Sequence, residues 1–261
     1  MANTAHTFDD GAAYEQLMAQ WSRALGQSFL QWVDPPANAL WLDVGCGTGI
    51  LTELILDGFS PAVVTGIDCA EAQIAHARQR GLAQRADLRV EDAQSLPFSD
   101  RSFDVVASAL TINFIPDRDL AVSEMRRVAC STGLVAGCVW DFASELSPSW
   151  PLRAGMHRIG LDVPHVPGFK ESSLGTFSAL FERAGFSNVE ATSIEARGAF
   201  ADFDEFWRAP TPNYARTTKM IAELGEGDRA KLMDAVRDKV PFLPDGRIEY
   251  SASANAIKAR P

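Results

Sequence analysis

The first apolar pattern in the chain runs from Gly11 to Val33, where apolar residues recur at spacings of three, four and seven. This period predicts an amphipathic helix, within an N-terminal helical segment of residues 10–34. The apolar positions are Tyr14, Leu17, Met18, Trp21, Leu25 and Trp32. Pro35 and Pro36 follow and end the predicted helix, because proline donates no backbone hydrogen bond.

The period then changes, and five short apolar or β-branched runs predict buried strands. They span residues 39–44, 62–67, 87–90, 103–109 and 132–140, with helical patterns between them at 48–57, 70–80 and 117–129. Alternating strands and helices predict an α/β fold with a parallel sheet, right-handed crossovers and helices on both faces. Ligands of such sheets bind at the carboxyl ends of the strands.

The alternation stops after Trp140. Residues 141–172 hold four prolines, two histidines and Trp150 with weak periodicity, which predicts a lid or pocket wall rather than an idle connection. A further helix, two closing strands and an intervening helical stretch are predicted at 174–184, 189–196, 248–256 and 201–240. We interpret residues 1–261 as one domain, with 141–172 and 201–240 as additions to it.

Composition excludes several classes of protein. The 261 residues are 46% apolar, which is enough for a real core, and the apolar runs fall far short of the roughly 18 residues that span a bilayer. Met1–Gly11 lacks an apolar signal core, so we expect a soluble, cytoplasmic protein. The net charge is −10 and no Lys/Arg tract occurs, which makes nucleic acid and anionic membranes poor partners.

The four cysteines are spaced 23, 61 and 8 residues apart, without a CxxC pair or a histidine at ligand spacing. This spacing indicates neither a disulfide framework nor a metal site, and predicts reduced thiols.

The most informative motif is LDVGCGTG at residues 42–49, which follows a predicted strand and opens a predicted helix. Ile50 stands where a dinucleotide fingerprint has its third small residue, so the turn is not built for close packing on pyrophosphate. Asp43, two residues before Gly45, would repel a pyrophosphate and attract a cation. The ligand therefore carries positive charge in this interpretation, as the sulfonium and ammonium groups of S-adenosylmethionine do.

Acidic residues also end the next two predicted strands. Asp68 ends the second strand, where a carboxylate can accept both hydrogen bonds of a ribose diol, although NAD-binding proteins place an acid similarly. Asp92 follows the third strand, where its carboxylate can accept from an adenine amino group while the next backbone N–H, that of Ala93, donates to a ring nitrogen.

Together, four motifs stand in order: LDVGCGTG (42–49), GID (66–68), EDAQSLPF (91–98) and FDVVASAL (103–110). In these the chain resembles the class I S-adenosylmethionine-dependent methyltransferases, in particular the small-molecule branch related to ubiquinone and menaquinone C-methyltransferases. The resemblance covers about residues 39–140. It implies a Rossmann-like, doubly wound sheet of seven strands in the order 3-2-1-4-5-7-6, with the last strand antiparallel.

The resemblance also implies roles for residues at matching positions. Asp43, Gly45 and Gly47 would hold the methionine part of S-adenosylmethionine, Asp68 the ribose, and Asp92 with Ala93 the adenine, and Cys46 is a further cofactor-binding candidate. Cys69 would pack beside the adenine ring, and the main chain of Ala109 and Leu110 would border the methyl group. Trp21 is either part of a core stripe or a lid over the cofactor. Ala70 replaces a usual capping serine, and Ser131-Thr132-Gly133 a usual Pro-Gly-Gly turn.

Acceptor-binding candidates flank the same strand ends. They are Asn113, Phe114, Trp140 and Phe142. Asp141, His157 and His165 are candidates for a general base, each with a structural alternative, and no catalytic residue is assigned. The sulfonium is already an activated methyl donor, so no metal is required and a base is needed only for a phenol, a carbon acid or a protonated amine.

The leading hypothesis is methyl transfer from S-adenosylmethionine to a small, apolar or aromatic acceptor. A non-catalytic module that binds S-adenosylmethionine and a nicotinamide-dependent oxidoreductase are the alternatives. Position 50 and Asp43 disfavour the oxidoreductase.

Overall fold

The computed structural model describes residues 11–208 and 216–261, with the side chains of residues 18–208 and 219–261. The helices are α1 (Gly11–Val33), α2 (Ile50–Gly58), α3 (Glu71–Gln79), α4 (Arg118–Val128), α5 (Trp150–Arg158), α6 (Leu174–Arg183), α7 (Phe203–Arg208), α8 (Arg216–Ala222) and α9 (Glu226–Arg237). The strands are β1 (Leu40–Val44), β2 (Val63–Asp68), β3 (Asp87–Val90), β4 (Phe103–Ala109), β5 (Ala129–Trp140), β6 (Ser187–Phe200) and β7 (Ile248–Arg260).

The seven strands form one sheet in the order β3-β2-β1-β4-β5-β7-β6. Pairs from β3 to β5 are parallel, whereas β7 runs antiparallel to both β5 and β6. The predicted strand order and the antiparallel last strand are confirmed. The carboxyl ends of β1, β2 and β4 therefore meet at one edge, where the order reverses between β1 and β4 and where ligands of such sheets bind.

The core is divided between the two faces of the sheet. On one face α1 and α2 pack together with helices of the later additions, burying Leu25, Phe29, Ile55 and Trp41 almost completely. On the other face α4 and α6 cover the sheet with Val122, Met125, Phe177 and Phe181. Each such side chain contributes roughly 1.5–3 kcal/mol when fully buried, so both faces hold the strand ends rigidly in place.

The fifth strand begins earlier than predicted, at Ala129. Phe103 pairs with Ala129 but Val105 already pairs with Leu134, so residues 130–133 bulge out of the ladder. A Cβ on Gly133 would lie 2.8 Å from the carbonyl oxygen of Cys130, which explains why glycine closes the bulge. The predicted turn at Ser131-Thr132-Gly133 is thus a bulge inside β5.

Residues 141–172 contain a helix, α5, that the weak periodicity did not predict. Residues 151–156 of α5 are all buried, so the helix lacks the polar face that makes an amphipathic period visible. A Cβ on Gly155 would lie 2.6 Å from Val236 Cγ2 in α9, which shows how closely the two helices approach. The segment therefore packs as a wall in this conformation.

The predicted helical stretch at 201–240 contains α7, α8 and α9. Residues 1–10 and 209–215, and the side chains of Tyr14 and Leu17 in the predicted apolar stripe of α1, lie outside the described part of the chain. Among the helices that are described, none combines the length and the apolar character needed to cross a membrane.

Candidate functional site

The turn between β1 and α2 depends on glycine for two different reasons. Gly45 has φ +74° and Gly47 has φ +54°, values that glycine adopts without steric cost. A Cβ on Gly45 would also lie 2.1 Å from Thr111 Cγ2. Beside Gly47 the nearest atom to such a Cβ is Gln73 Oε1, at 3.9 Å, so the space in front of this residue is open. The turn is closed on its Gly45 side and open on its Gly47 side.

Asp43, at the end of β1, is buried and incompletely hydrogen bonded. Thr52 Oγ1 donates to Asp43 Oδ2 at 2.7 Å, whereas Asp43 Oδ1 is buried without a partner among the described residues. Burial raises the pKa of Asp43 to about 7, and the charge of Asp68 adds to the rise. A buried carboxylate of this kind is stabilised by a cation or by further donors.

Asp68, at the end of β2, faces the same turn. Gly47 N donates to Asp68 Oδ2 at 3.0 Å, and Ala70 N donates to Oδ1 at 2.9 Å. Burial raises its pKa. Each carboxylate oxygen can accept two hydrogen bonds, so both oxygens keep one free acceptor position. Ala70, the N-cap residue of α3, makes no side-chain cap.

The candidates on the adenine side are arranged less tightly. The side chain of Cys46 is buried against Ile74 and Leu88, and burial raises the pKa of its thiol. Its backbone N–H donates to Ile67 O, so it belongs to the turn through its main chain. Partial burial raises the pKa of Cys69, and the charges of Asp68 and Asp92 add to the rise, which places both carboxylates near this thiol.

Asp92 is exposed and forms a local turn. Gln94 N donates to Asp92 Oδ1 at 2.8 Å, and the side-chain amide of Gln94 donates to the same oxygen at 3.0 Å. Ala93, next to it, is partly buried. The side-chain amide of Gln94 also donates to the other carboxylate oxygen, Asp92 Oδ2, at 3.1 Å. These bonds fix the direction of the backbone after β3.

Thr111, which the sequence did not single out, links the end of β4 to the glycine turn. Its Oγ1 lies 2.9 Å from Gly45 O and 3.1 Å from Ala109 O, and it can donate to either. Leu110 between them has φ +61°, a conformation that costs a non-glycine residue about 1–2 kcal/mol. Its N–H donates to Cys138 O at 2.7 Å. Strain of this size is typical of functional sites.

Asn113 is buried under the segment 164–168. Its Nδ2 donates to Pro167 O at 3.3 Å, and a Cβ on Gly168 would lie 2.5 Å from Asn113 O. Arg118 donates to the same carbonyl oxygen at 2.7 Å. Phe114 is partly buried in the short 3-10 turn that follows β4. The structure therefore gives Asn113 a structural function as the anchor of the 164–168 segment.

The end of β5 carries aromatic residues. Trp140 is buried with its ring 6.3 Å from Trp21 at 90°, and its Nε1 has no partner among the described residues. Trp21 also lies 5.9 Å from Tyr250 and fills the space beside Gly198. These contacts account for the burial of Trp21 as a core residue. Phe142 is buried in the same cluster.

The three candidate bases occupy three separate settings. Asp141 is buried, and its Oδ1 accepts from Ser144 N at 2.9 Å, which caps the turn after β5. His157 is exposed in the last turn of α5, the helix that packs on α9. His165 is exposed with its ring 4.5 Å from that of Phe169. The structure does not bring the three into one group.

Charge is unbalanced at the glycine turn. Asp43 and Asp68 form no ion pair within the part of the chain that is described, whereas Arg23 and Arg80 both pair with Glu53, at 2.5 Å and 2.7 Å. Arg80 also donates to Thr48 O at 2.6 Å. A buried acceptor atom without a donor, open space beside Gly47 and two uncompensated carboxylates fit the cationic nucleoside that the resemblance implies.

Comparison with known proteins agrees with this geometry. A family profile described as a methyltransferase domain matches residues 42–137. The malonyl-[acyl-carrier protein] O-methyltransferase of Geobacter sulfurreducens is 30% identical over 223 residues, which are 83% of this chain and 76% of that protein. The demethylmenaquinone methyltransferase of Bacteroides fragilis is 31% identical over 135 residues, 48% of this chain and 55% of that protein.

A solved structure shares the fold. The phosphoethanolamine N-methyltransferase 2 of Haemonchus contortus, in complex with S-adenosyl-L-methionine, superimposes with a TM-score of 0.60 at 19% identity. The match covers 99% of this chain and 58% of that chain.

Proposed function

The chain belongs to the class I S-adenosylmethionine-dependent methyltransferases, and from this premise we propose that it methylates a small acceptor with a largely apolar or aromatic body. The pair of carboxylates at adjacent strand ends, buried Asp43 and partly buried Asp68, is the observation that supports the donor site. In this proposal Asp43 holds the ammonium group through its unsatisfied Oδ1, and Asp68 accepts from the ribose diol while it holds the glycine turn.

When bound, S-adenosylmethionine supplies an activated methyl group, and the chain has to align the acceptor with it and exclude water. The backbone at Ala109 and Leu110 would border the methyl group, and Thr111 would keep that backbone at a fixed distance from the glycine turn. Asp92 and Ala93 would contact the adenine, with Cys69 and the main chain of Cys46 beside it. We further propose that residues 1–261 form one domain with 141–172 and 201–240 as additions.

The acceptor class rests on the aromatic cluster beyond β5. Trp140, Phe142, Trp21 and Tyr250 lie together there, and an apolar or aromatic acceptor would exclude water by contact with such side chains. The capping bond of Asp141 to Ser144 does not favour a dedicated base. An acceptor that needs no deprotonation therefore agrees best with the site.

A nicotinamide-dependent oxidoreductase agrees poorly with the same geometry. The negatively charged pyrophosphate of NAD would lie against the carboxylates of Asp43 and Asp68 at the glycine turn. Repulsion between like charges that are shielded from water costs on the order of several kcal/mol.

The proposal is tested with the purified chain, S-adenosylmethionine labelled at the methyl group, and a panel of small apolar and aromatic acceptors. We expect label in an organic-soluble product whose mass has increased by one methylene unit. Asp68→Ala is the control protein and should give background transfer only. Tight binding of the donor without transfer to any acceptor or metabolite extract would instead support the non-catalytic module.

A further inference from the structure

A buried guanidinium lies outside the donor site just described. Arg153, in α5, is only 8% exposed, although arginine is one of the residue types least often buried without a charged partner. Its one hydrogen bond to the described residues goes to the backbone: Arg153 Nη2 donates to Pro164 O at 2.7 Å. No carboxylate of the described residues forms an ion pair with it. Burial lowers its pKa.

Structure alone does not explain a charge at this position. The guanidinium has five N–H donors, of which the bond to Pro164 uses one, and removing a charged group from most of its contact with water costs free energy. A glutamine could supply the same single bond without that cost. Arg158, the other arginine of α5, differs in both burial and pairing: it is exposed, and it forms an ion pair with Asp238 at 2.6 Å.

The contacts of Arg153 connect it to the acceptor side of the site. Pro164, which accepts from Arg153, begins the segment 164–168 that covers Asn113, and Pro167 O accepts from Asn113 Nδ2. Pro167 is three positions after Pro164 in the chain, which allows a span of at most roughly 10 Å. Asn113 in turn follows the strained end of β4, which would border the methyl group.

Residues close to Arg153 along α5 are buried and apolar. Its neighbour Leu152 and Met156, one turn further along α5, belong to the same buried cluster as Trp140 and Phe142. A ligand that reaches Arg153 from the strand ends would therefore contact apolar side chains along its length and a cation at its far end.

We propose that Arg153 binds an anionic group of the methyl acceptor, a carboxylate or a phosphate, at the end of an apolar body. The proposal rests on the proposed function and narrows its substrate class to an amphipathic anion. A planar guanidinium matches the two oxygens of either anion in a bidentate pair, which would supply the charge compensation that the fold withholds. The donor carries net positive charge, so the two ligands would attract each other in the closed site.

The test compares methyl acceptors in matched pairs that keep the same methyl-accepting group at one end of an apolar body and differ only at the other end: a carboxylate against its amide, and a phosphate monoester against its parent alcohol. Initial rates with labelled S-adenosylmethionine are measured for wild type, Arg153→Gln, Arg153→Lys and the control Arg158→Gln, which changes an exposed arginine of the same helix. We expect wild type and Arg158→Gln to prefer one class of anion over its neutral partner at least tenfold in kcat/KM. Arg153→Gln should lose this preference through a higher KM, and Arg153→Lys should keep part of it.

Two further measurements make the result unambiguous. Calorimetric titration with S-adenosylhomocysteine should give equal affinities for all four proteins. If none of them bound the donor or transferred a methyl group to any acceptor, the result would count against the proposed function and not against the role of Arg153. Thermal shift of the wild-type protein by the anionic and neutral compounds does not depend on any variant folding, and a larger shift with one anion is expected. The proposal would be overturned if Arg153→Gln kept the wild-type ratios of kcat/KM for acid over amide and for phosphate over alcohol. It would also be overturned if the wild-type protein used the anionic and neutral compounds equally well.

Discussion

The two sides of the site differ in the sign of their uncompensated charge. On the donor side the ends of β1 and β2 hold two carboxylates, buried Asp43 and partly buried Asp68, without a cationic partner in the described chain. On the acceptor side α5 holds a buried guanidinium, that of Arg153, without a described carboxylate. The three groups lie on three elements, β1, β2 and α5, and in the proposed function the bound ligands supply the opposite charges that the described chain does not.

The two sides also differ in how their backbone is held. The donor side is a tight turn between parallel strands, with the side chain of Thr111 in direct contact with Gly45. The acceptor side is a long connection closed at its base by side chains: Asn255 Nδ2 donates to Ser172 O at 2.8 Å, and Ala143 N donates to Ser172 Oγ at 3.0 Å. Changes on the donor side should therefore affect cofactor affinity, and changes at this base should affect local stability.

The largest effect is expected from Asp68→Ala. Two hydrogen bonds from the ribose to a carboxylate are worth about 1.5–3 kcal/mol each, so affinity for S-adenosylhomocysteine should fall a hundred-fold or more. Calorimetric titration measures this, with Asp57→Ala, an exposed acid of α2, as the control. Unchanged affinity in Asp68→Ala would remove the ribose assignment.

Next in size is the difference between Gly45→Ala and Gly47→Ala. Both variants place alanine at positive φ, which should lower the free energy of unfolding by about 1–2 kcal/mol. Only the alanine of Gly45→Ala also collides with Thr111, which should lower it by about 1–3 kcal/mol more. Chemical denaturation should show the larger loss for Gly45→Ala, and Thr111→Ala in the same protein should recover part of it. Equal losses for the two alanines would show that the contact with Thr111 carries no energy.

Asp43 should make the stability of the cofactor-free protein depend on pH. Its pKa is about 7 in the folded state against 3.8 for the unfolded chain, so the folded state binds the proton more tightly. The contribution of Asp43 to the free energy of unfolding is therefore highest below about pH 4. It falls by up to about 4 kcal/mol as the pH rises to about 7. Asp43→Asn should lack this part of the decline and bind S-adenosylhomocysteine more weakly.

Thermal unfolding of both proteins between pH 4 and pH 8 checks the effect of Asp43. Parallel profiles for wild type and Asp43→Asn would mean that the carboxylate is not destabilised by burial. In wild type, cofactor affinity should rise as pH increases towards about 7, because the positive ligand favours the ionised carboxylate.

The smallest effect is expected on the acceptor side, from Asn255→Ala. This variant leaves Ser172 O and the Ser193 hydroxyl without their hydrogen-bond partner, which should lower the free energy of unfolding by about 1–3 kcal/mol. Hydrogen exchange should become faster in residues 141–172, while affinity for S-adenosylhomocysteine stays at the wild-type value. Ser251→Ala, on the exposed face of the same strand, is the matched control. A large loss of cofactor affinity in Asn255→Ala would show that the two sides are not separate.

The donor side was predictable from sequence because its determinants are local. The strand at 103–109 is a mostly apolar run and was predicted with its observed ends, and the order of strands followed from the resemblance. Thr111 was missed because its partner Gly45 lies 66 positions away, and no local pattern marks such a contact. Helix α5 was missed because it is buried on nearly all sides, so its sequence has no polar stripe.

The same reason hides Arg153. In the sequence it is one arginine of a proline-rich stretch, and only the packing of α5 on α9 shows that its charge is buried. Asp141, His157 and His165 are more conspicuous in the sequence, yet their contacts are those of a turn cap and of exposed loop and helix-end residues. Residue type predicts candidates, whereas burial without a partner distinguishes among them.

A crystal structure of the chain with S-adenosylmethionine tests the central claim most directly, because it shows which charges the two strand ends face. We predict that the ribose hydroxyls lie within hydrogen-bond distance of the Asp68 carboxylate and that the ammonium group lies on the side of Asp43 Oδ1, with the methionine part beside Gly47. Density for the ligand at another place, or a phosphate bound by the glycine turn, would contradict the account.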